Sequence, residues 1–490
     1  MRFSCFFLAL SLTQALPQTF AATPPAPPAG TVGLRLAFEP ATLDWNKGDV
    51  PIHVINNVVE GLFGVSPEGR VVPIEAADFP ARGRDSGTWR IHLKPNLRWS
   101  DGKPVRAADY IASWDRLVDP KTGSTYSYLV FDFSGWRALG DLELEVRLKN
   151  PKLKRFPAAP LTHWATFPVR SDLIAAHPAG WGTVPAEMAF NGPYKIALYQ
   201  PDVKLELVPN PEHAQPGKLA RIEALIVQDD STALRLYEGG RLHFMSDLST
   251  LDRATLALRP DYHSMKSPVL VYLGLDANAT SAPQLASRSA RLALSEAIDR
   301  SLFPTLLGGG CTPANQLDPA RGETRAFDPE AGHRLGPELD GKKLVLGFFA
   351  KGNNQLVVEF AQAQWKTNLG LSAGLQANEI KTYWKKLEQR PYPVFLNSFG
   401  PPVWDTRFSY ELLRSTNPMN LGRWSNAAYD HALDRGDYKT AARIIAAETP
   451  IIPLYFRGYD YLSSPRLKGA RLNPMTSLDL REARLQPQVP

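Results

Sequence analysis

Apolar residues recur with two different periods along this chain, and that mixture restricts the fold more than any other feature. In "TVGLRLAF", Val32, Leu34, Leu36 and Phe38 alternate strictly with other residues. Trp89, Ile91 and Leu93 do the same in "TWRIHL", as do Leu142, Leu144, Val146 and Leu148, and Val203, Leu205 and Leu207. Successive side chains of a strand point to opposite faces, so these read as half-buried strands. Elsewhere the period lengthens. Leu294, Ile298 and Leu302 fall at i, i+4 and i+8, and Val358, Ala361, Trp365 and Leu369 form a second helical stripe ending at Gly370. Glycine accepts the left-handed conformation that closes a helix, so Gly370 is read as its stop. Strands and helices interleaved in this way imply α/β or α+β layers.

The chain's 490 residues leave room for roughly two to four domains. Hydrophobic residues make up 44% and charged residues 21%, which excludes a disordered chain. Pro- and Gly-rich breaks at 178–193 and 308–341 are candidate boundaries or long loops.

The first 22 residues read as a secretory signal: Arg2, then the apolar run "FFLALSL", then small residues at "TFAAT". That run is shorter than the ~20 residues a permanent membrane helix needs. Cleavage is expected near Ala21–Ala22, leaving a Pro-rich leader, "TPPAPPAG", over residues 23–30. Cys5 sits inside the signal, in the wrong setting for lipidation, so a soluble periplasmic protein is expected. Cys311 would then be the only cysteine, which leaves no internal disulfide, and "GGGCTP" reads as a loop rather than a nucleophile site. The formal net charge of +6 is scattered, without the dense Lys/Arg run of a nucleic-acid surface.

Catalytic spacings are missing from the sequence. The nine histidines show no H-x-x-x-H or H-E-x-x-H pattern, and there is no P-loop, G-x-G-x-x-G or G-x-S-x-G. Carboxylate pairs such as Asp229–Asp230 occur in any chain of this size. No metal, cofactor or catalytic residue is expected, and binding is the better starting point for an exported protein.

One longer stretch carries a specific likeness: "WRIHLKPNLRWSDGKPVRAADYIASWDRLVDPKTGSTYSYL", residues 89–129. With "NVVEGLFGVSPEGRVVP", "NGPYKI", "LVPNPEH", "LSEAIDR", "QWKTNLGL", "RWSNAAYD" and "PIIPLYF", in that order, it resembles the extracellular solute-binding proteins of the oligopeptide and dipeptide type, the receptors of ABC importers. The resemblance runs from about Thr31 to the "RLKGARLNP" near residue 474. It implies an α/β fold of two lobes joined by a hinge, with an extra domain inserted in the first lobe. The first lobe would take residues 31–59, 188–275 and 459–490, the inserted domain 60–187, and the second lobe 276–458. Trp99 and the Asp101–Gly102 turn would fix a strand–helix corner and do no chemistry. The family's threonine before Ala-x-Asp is Arg106 here, and losing such a helix cap costs about 1 kcal/mol.

The same resemblance implies a peptide or peptide-like solute held between the lobes, an ABC permease as partner, no cofactor, no nucleic acid, and a monomer. It places ligand contacts at Gly48, Asp49 and Val50, in a loop where Trp45 stands in place of the family's proline. Tyr272 falls where family tyrosines touch ligand, and equally where a core tyrosine would flank the hinge. In "LNSFGPPVWDTRFSYELL" the family's tryptophan position falls on Phe399, beside Gly400, and its amine-anchoring aspartate falls on Pro402. A further tryptophan common near the ligand falls on Ile380. Trp404 is either a stacking wall or a strand-end core residue. Either the ligand has no free amino terminus at that point, or Asp405 or Asp49 serves instead. A binder of a non-peptide solute and a receptor outside transport are the rival readings. The chain between Tyr429 and Glu448 looks trimmed beside the family.

Overall fold

The structure is a computed structural model that describes residues 30–487, apart from 49, 247, 249–250, 318–326, 340, 404 and 406 and the side chains of 381 and 388. The expected signal, its cleavage point and the leader to residue 29 lie outside the described residues.

One large mixed sheet runs through the molecule, and two long antiparallel strands at its middle, Tyr262–Leu275 and Ile451–Ser463, belong to both halves. On one side lie Phe244–Ser246, Thr31–Leu36, Arg221–Ile226, Lys204–Pro209 and Tyr194–Gln200, in that order. On the other lie Val394–Phe399, Lys343–Phe349 and Ser372–Asn378. Thr31–Leu36 pairs in parallel with both neighbours, as does Lys343–Phe349. Each half has its own apolar core: one gathers Val32, Leu34, Ile222 and Leu205, the other Leu273, Leu346, Ile452 and Trp365. Two cores joined by two strands make two lobes.

The first strand shows how alternation becomes burial. Val32, Leu34 and Leu36 enter the core as expected, but all six residues are buried, because a parallel central strand is covered on both faces. On the polar face Gly33 lies so close to Arg241 that an added Cβ would stand 2.0 Å from its carbonyl oxygen, so only glycine fits. Arg35, on the same face, donates to the carbonyls of Val227, Gln228 and Ser246 at 2.9–3.1 Å and to Asp230 at 2.6 Å. Phe38, expected on the apolar face, lies beyond the strand end and is 59% exposed.

Leu142 and Val203 are likewise exposed, because their strands begin one residue later, at Glu143 and Lys204. In the second lobe the helix Asn354–Leu369 buries Val358, Ala361, Trp365 and Leu369, and Gly370 closes it at φ 64°. The other stripe breaks early. Its helix ends at Glu296 and passes into a 3₁₀ turn at Arg300–Leu302, which leaves Leu302 exposed. Trp365 Nε1 joins the two helices by donating to the Leu294 carbonyl at 2.8 Å. Cys311 is a strand residue rather than a loop residue: it opens Cys311–Pro313, which pairs with the Ile451–Ser463 strand, and burial pushes its thiol up to about 11. Helices Ala427–Asp434 and Tyr438–Glu448 occupy the segment expected to be trimmed.

Between the helix Ile52–Val58 and the strand Tyr194–Gln200 the chain makes a hairpin, Phe63–Val65 with Val71–Pro73, and a four-stranded antiparallel sheet covered by the helix Ala107–Val118. Trp99 and Gly102 form the corner feeding that helix. Trp99 is buried, its Nε1 donates to Asp109 Oδ2 at 3.0 Å, and Gly102 takes φ 84°. Asp109 Oδ2 also accepts from the Arg106 N–H at 2.9 Å. Arginine carries no acceptor, so only this return half of a capping box is made. Trp89, Ile91, Trp99 and Trp114 share one apolar core with the first-lobe strands, so the inserted segment is packed onto the first lobe.

Arg35 and Asp230 are both buried, and replacing Arg35 removes a cation that offsets the Asp230 carboxylate away from water. Arg35→Met is expected to destabilise the protein by roughly 3–5 kcal/mol in urea melts, and adding Asp230→Leu to restore part of the loss.

Candidate functional site

A cavity of about 440 Å³ opens where the two crossing strands meet the lobes, within the 300–1,000 Å³ typical of small-ligand sites. Four chemically distinct walls surround it. The first lobe and the start of the inserted segment supply a mainly apolar one, because the helix Ile52–Val58 begins directly after Pro51 and brings Ile52 and Asn56 to the cavity, followed by Val59, Glu60 and Phe63. The inserted segment supplies an aromatic wall. The Tyr126 ring lies 4.7 Å from His163 and 4.9 Å from Trp164. Burial pushes the His163 imidazole down to about 3, so it stays neutral, and its Nδ1 accepts from the Ala165 N–H at 3.1 Å.

The third wall is the hinge itself. The pairing of the two crossing strands slips between Lys266 and Leu270, and Ser267, Pro268 and Val269 face the cavity there. Across from them, just past the last paired residue of Val394–Phe399, Gly400, Pro401 and Pro402 complete the second-lobe side. The fourth wall comes from near the end of the chain. Asn473 Oδ1 accepts from the Met475 and Ser477 N–H groups at 3.0 Å, and its Nδ2 reaches the Val65 carbonyl at 3.1 Å, which pins a tight loop to the first hairpin of the inserted segment. Arg471 and Arg481 flank that loop.

Charges at this end are linked below the surface. Burial pushes the Glu60 carboxyl up, but its bond with His213 at 3.0 Å and the Arg481 guanidinium outweigh burial and hold it below the ordinary value. Glu75, one residue past the cavity-lining Ile74, is driven by burial up to about 8, against hydrogen bonds from Tyr110 and Asn191. At neutral pH it is mostly a neutral acid.

Of the residues expected from sequence, Val50 and Gly400 line the cavity, together with Pro402. Gly48 is buried at φ 131°, facing Thr125 and Tyr126 of the inserted segment. Tyr272 sits in the second-lobe core, with its hydroxyl accepting from Asn397 Nδ2 at 3.0 Å. Phe399 packs, half-buried, against that same core. Ile380 is exposed at a helix start. Asp405 accepts from the Arg407 backbone N–H at 2.9 Å and its Nε at 2.8 Å. Asp49 and Trp404 lie outside the described residues. Tyr126, Trp164, Arg471, Asn473 and Arg481 were not anticipated, since nothing local in "STYSYL", "THWATF" or "GARLNP" marks a cavity wall.

The lobes touch beyond the cavity as well. Arg407 of the second lobe reaches Asp132 of the inserted segment at 3.1 Å, Phe408 lies 6.2 Å from Tyr128, and Val403 and Phe408 are buried in the first-lobe core. Lys351 Nζ stands 4.1 Å from the Phe38 ring, a cation–π contact between the strand ends of the two lobes.

A family model for bacterial extracellular solute-binding proteins, family 5 (middle part), matches residues 71–420. The chain belongs to this family. It is similar to the periplasmic murein peptide-binding protein MppA of Escherichia coli, 29% identical over 487 residues and covering 89% of each chain. The probable deoxycholate-binding periplasmic protein YgiS of E. coli is 25% identical over 530 residues, covering 95% of each. The structure of the E. coli murein tripeptide binding protein MppA superposes with a TM-score of 0.80 at 26% identity, covering 94% of this chain and 99% of that one. The unliganded open form of MppA gives 0.73, covering 94% and 98%. This family 5 chain therefore has the two-lobed α/β fold of periplasmic peptide-binding proteins. Among the described residues no helix is long and apolar enough to cross a membrane.

Two outcomes follow from this geometry. Glu75 has a folded value raised from 4.5 to about 8, so the stability it contributes is complete below about pH 4.5 and is lost as pH rises through 8. Between pH 5 and 8 the wild type should lose up to about 1.4 kcal/mol per pH unit relative to Glu75→Gln, read from urea melts at each pH. Arg407→Ala should weaken the lobe-to-lobe contact by roughly 1 kcal/mol, seen as a larger radius of gyration in small-angle scattering without ligand.

Proposed function

We propose that this chain is an exported receptor that encloses a peptide or peptide-like solute between its lobes and presents it to the permease of an ABC importer, working as a monomer without cofactor or catalysis. The observation that carries this reading is the cavity at the hinge, whose walls come from both lobes, the inserted segment and the C-terminal return. A ligand there touches every part that a hinge motion would move, so binding and closure are one event. The similarity to a murein peptide-binding protein supports a peptide-like guest, and the similarity to a probable deoxycholate-binding protein supports an apolar, non-peptide one as the second reading. The wall at Gly400–Pro402, which offers neither charge nor proline N–H, favours keeping both open.

Thermal-shift and calorimetric screens of the purified protein against di- to hexapeptides test the first reading. A ligand at one hundred times its Kd should stabilise the fold by about 2.7 kcal/mol. Silence across the whole peptide set, with stabilisation by an apolar non-peptide solute, would select the second.

A further inference from the structure

Two stretches of the cavity lining differ in what they can bond. Phe399 and Leu270 form the last paired rung between the second-lobe strand and the hinge strand. Beyond that rung the two segments that flank the cavity are Gly400–Pro402 and Ser267–Val269. Pro268, Pro401 and Pro402 have no N–H, and the Val269 N–H is taken by Ser267 Oγ at 3.2 Å. An extended peptide laid here would find few donors for its carbonyls, and buried carbonyls without donors are costly.

Carboxylates are equally scarce on this side. Among the described lining residues the acids are Glu60 and Asp479, both near the C-terminal return. Glu60 is engaged by His213 and Arg481, and Asp479 Oδ1 accepts the Arg481 N–H at 2.9 Å. Asp405, three residues past Pro402, gives both oxygens to Arg407. Among the described lining residues no carboxylate stands at the proline wall, so a ligand ammonium there would meet backbone carbonyls but no opposite charge. The return side carries those two acids but also two arginines, Arg471 and Arg481. Arg471 stands opposite Asp479 across a strand pair and lowers the Glu68 and Glu482 carboxyls through space, yet no direct ion pair to its guanidinium is seen among the described residues. Tyr126, Trp164 and Phe63 add aromatic surface to the same lining.

We infer that this cavity selects carboxylic acids with an apolar, amine-free body: the uncharged end rests on Pro401 and Pro402, and the carboxylate faces Arg471. This rests on the receptor reading above and narrows its ligand class. Two sources share that chemistry, namely short peptides whose amino group is acylated and apolar acids that are not peptides.

Calorimetry on the purified protein tests it with four probes: Leu-Phe, N-acetyl-Leu-Phe, N-acetyl-Leu-Phe-amide and decanoate. Acetylation should tighten binding at least tenfold, and amidation should loosen it at least tenfold. Arg471→Gln, at an exposed position, should abolish the amidation penalty while leaving the acetyl preference intact. Pro402→Asp should reverse the acetyl preference. Decanoate binding as tightly as N-acetyl-Leu-Phe would point to the non-peptide source and support the class. Leu-Phe binding as tightly as its acetylated form, or an Arg471→Gln protein that still discriminates acid from amide, would overturn it. Tight binding of longer peptides with free amino termini, and of none of the four probes, would overturn the ligand class and leave the receptor reading standing. No binding to any peptide or acid would overturn the receptor reading itself.

Discussion

Pairing between Tyr262–Leu275 and Ile451–Ser463 is the constraint on which the rest of the molecule depends. These two strands carry backbone hydrogen bonds from one lobe into the other, so the lobes cannot separate without breaking the centre of the sheet. They are also not paired uniformly: the register slips between Lys266 and Leu270, where Pro268 supplies no donor, and again between Val271 and Tyr272. Regular pairing on either side of this irregular stretch concentrates bending within it. The same irregular residues, Ser267 to Val269, form a wall of the cavity. Joint and binding wall are therefore one segment, and a guest that presses on it acts directly on the angle between the lobes.

Electrostatics around the cavity follows a division of labour. Charges needed for shape are buried and matched: Arg35 with Asp230 on the central strand, Glu60 with His213 and Arg481 behind the return loop. Glu75 escapes the cost of a buried charge by holding a proton. His163 escapes it by staying neutral among Tyr126 and Trp164. What faces the ligand is then mostly apolar or uncharged, and the few charges left at the surface of the cavity have a disproportionate influence on which guests are accepted.

Much of the architecture was legible because its signals are local. The helix ending at Gly370 buries the four residues its stripe names, and the Trp99–Gly102 corner is built from neighbours within a dozen positions. Local signals failed where the environment of a face decides. Alternation at Thr31–Leu36 is real, yet it does not reveal that the polar face is covered too, so Arg35 is a core residue rather than a surface one. The helical stripe through Leu302 failed because the helix ends at Glu296, before the second and third positions of the stripe, and of those two only Ile298 still turns into the core. The site was the least legible. Family likeness points to Val50 and to the stretch around Gly400, both of which the cavity includes. Tyr126, Trp164 and Arg471 come from segments with no shared pattern, brought together only by tertiary packing.

The position of the return loop in the chain has a consequence for biogenesis. Asn473 clips that loop to the carbonyl of Val65, a residue made very much earlier. Strands and lobes assembled from residues before 463 leave the pocket with one side missing, so a nascent chain has nothing complete to hold a guest with. Folding of almost the whole polypeptide must therefore precede a complete cavity, and a half-made molecule has no closed site to offer a solute.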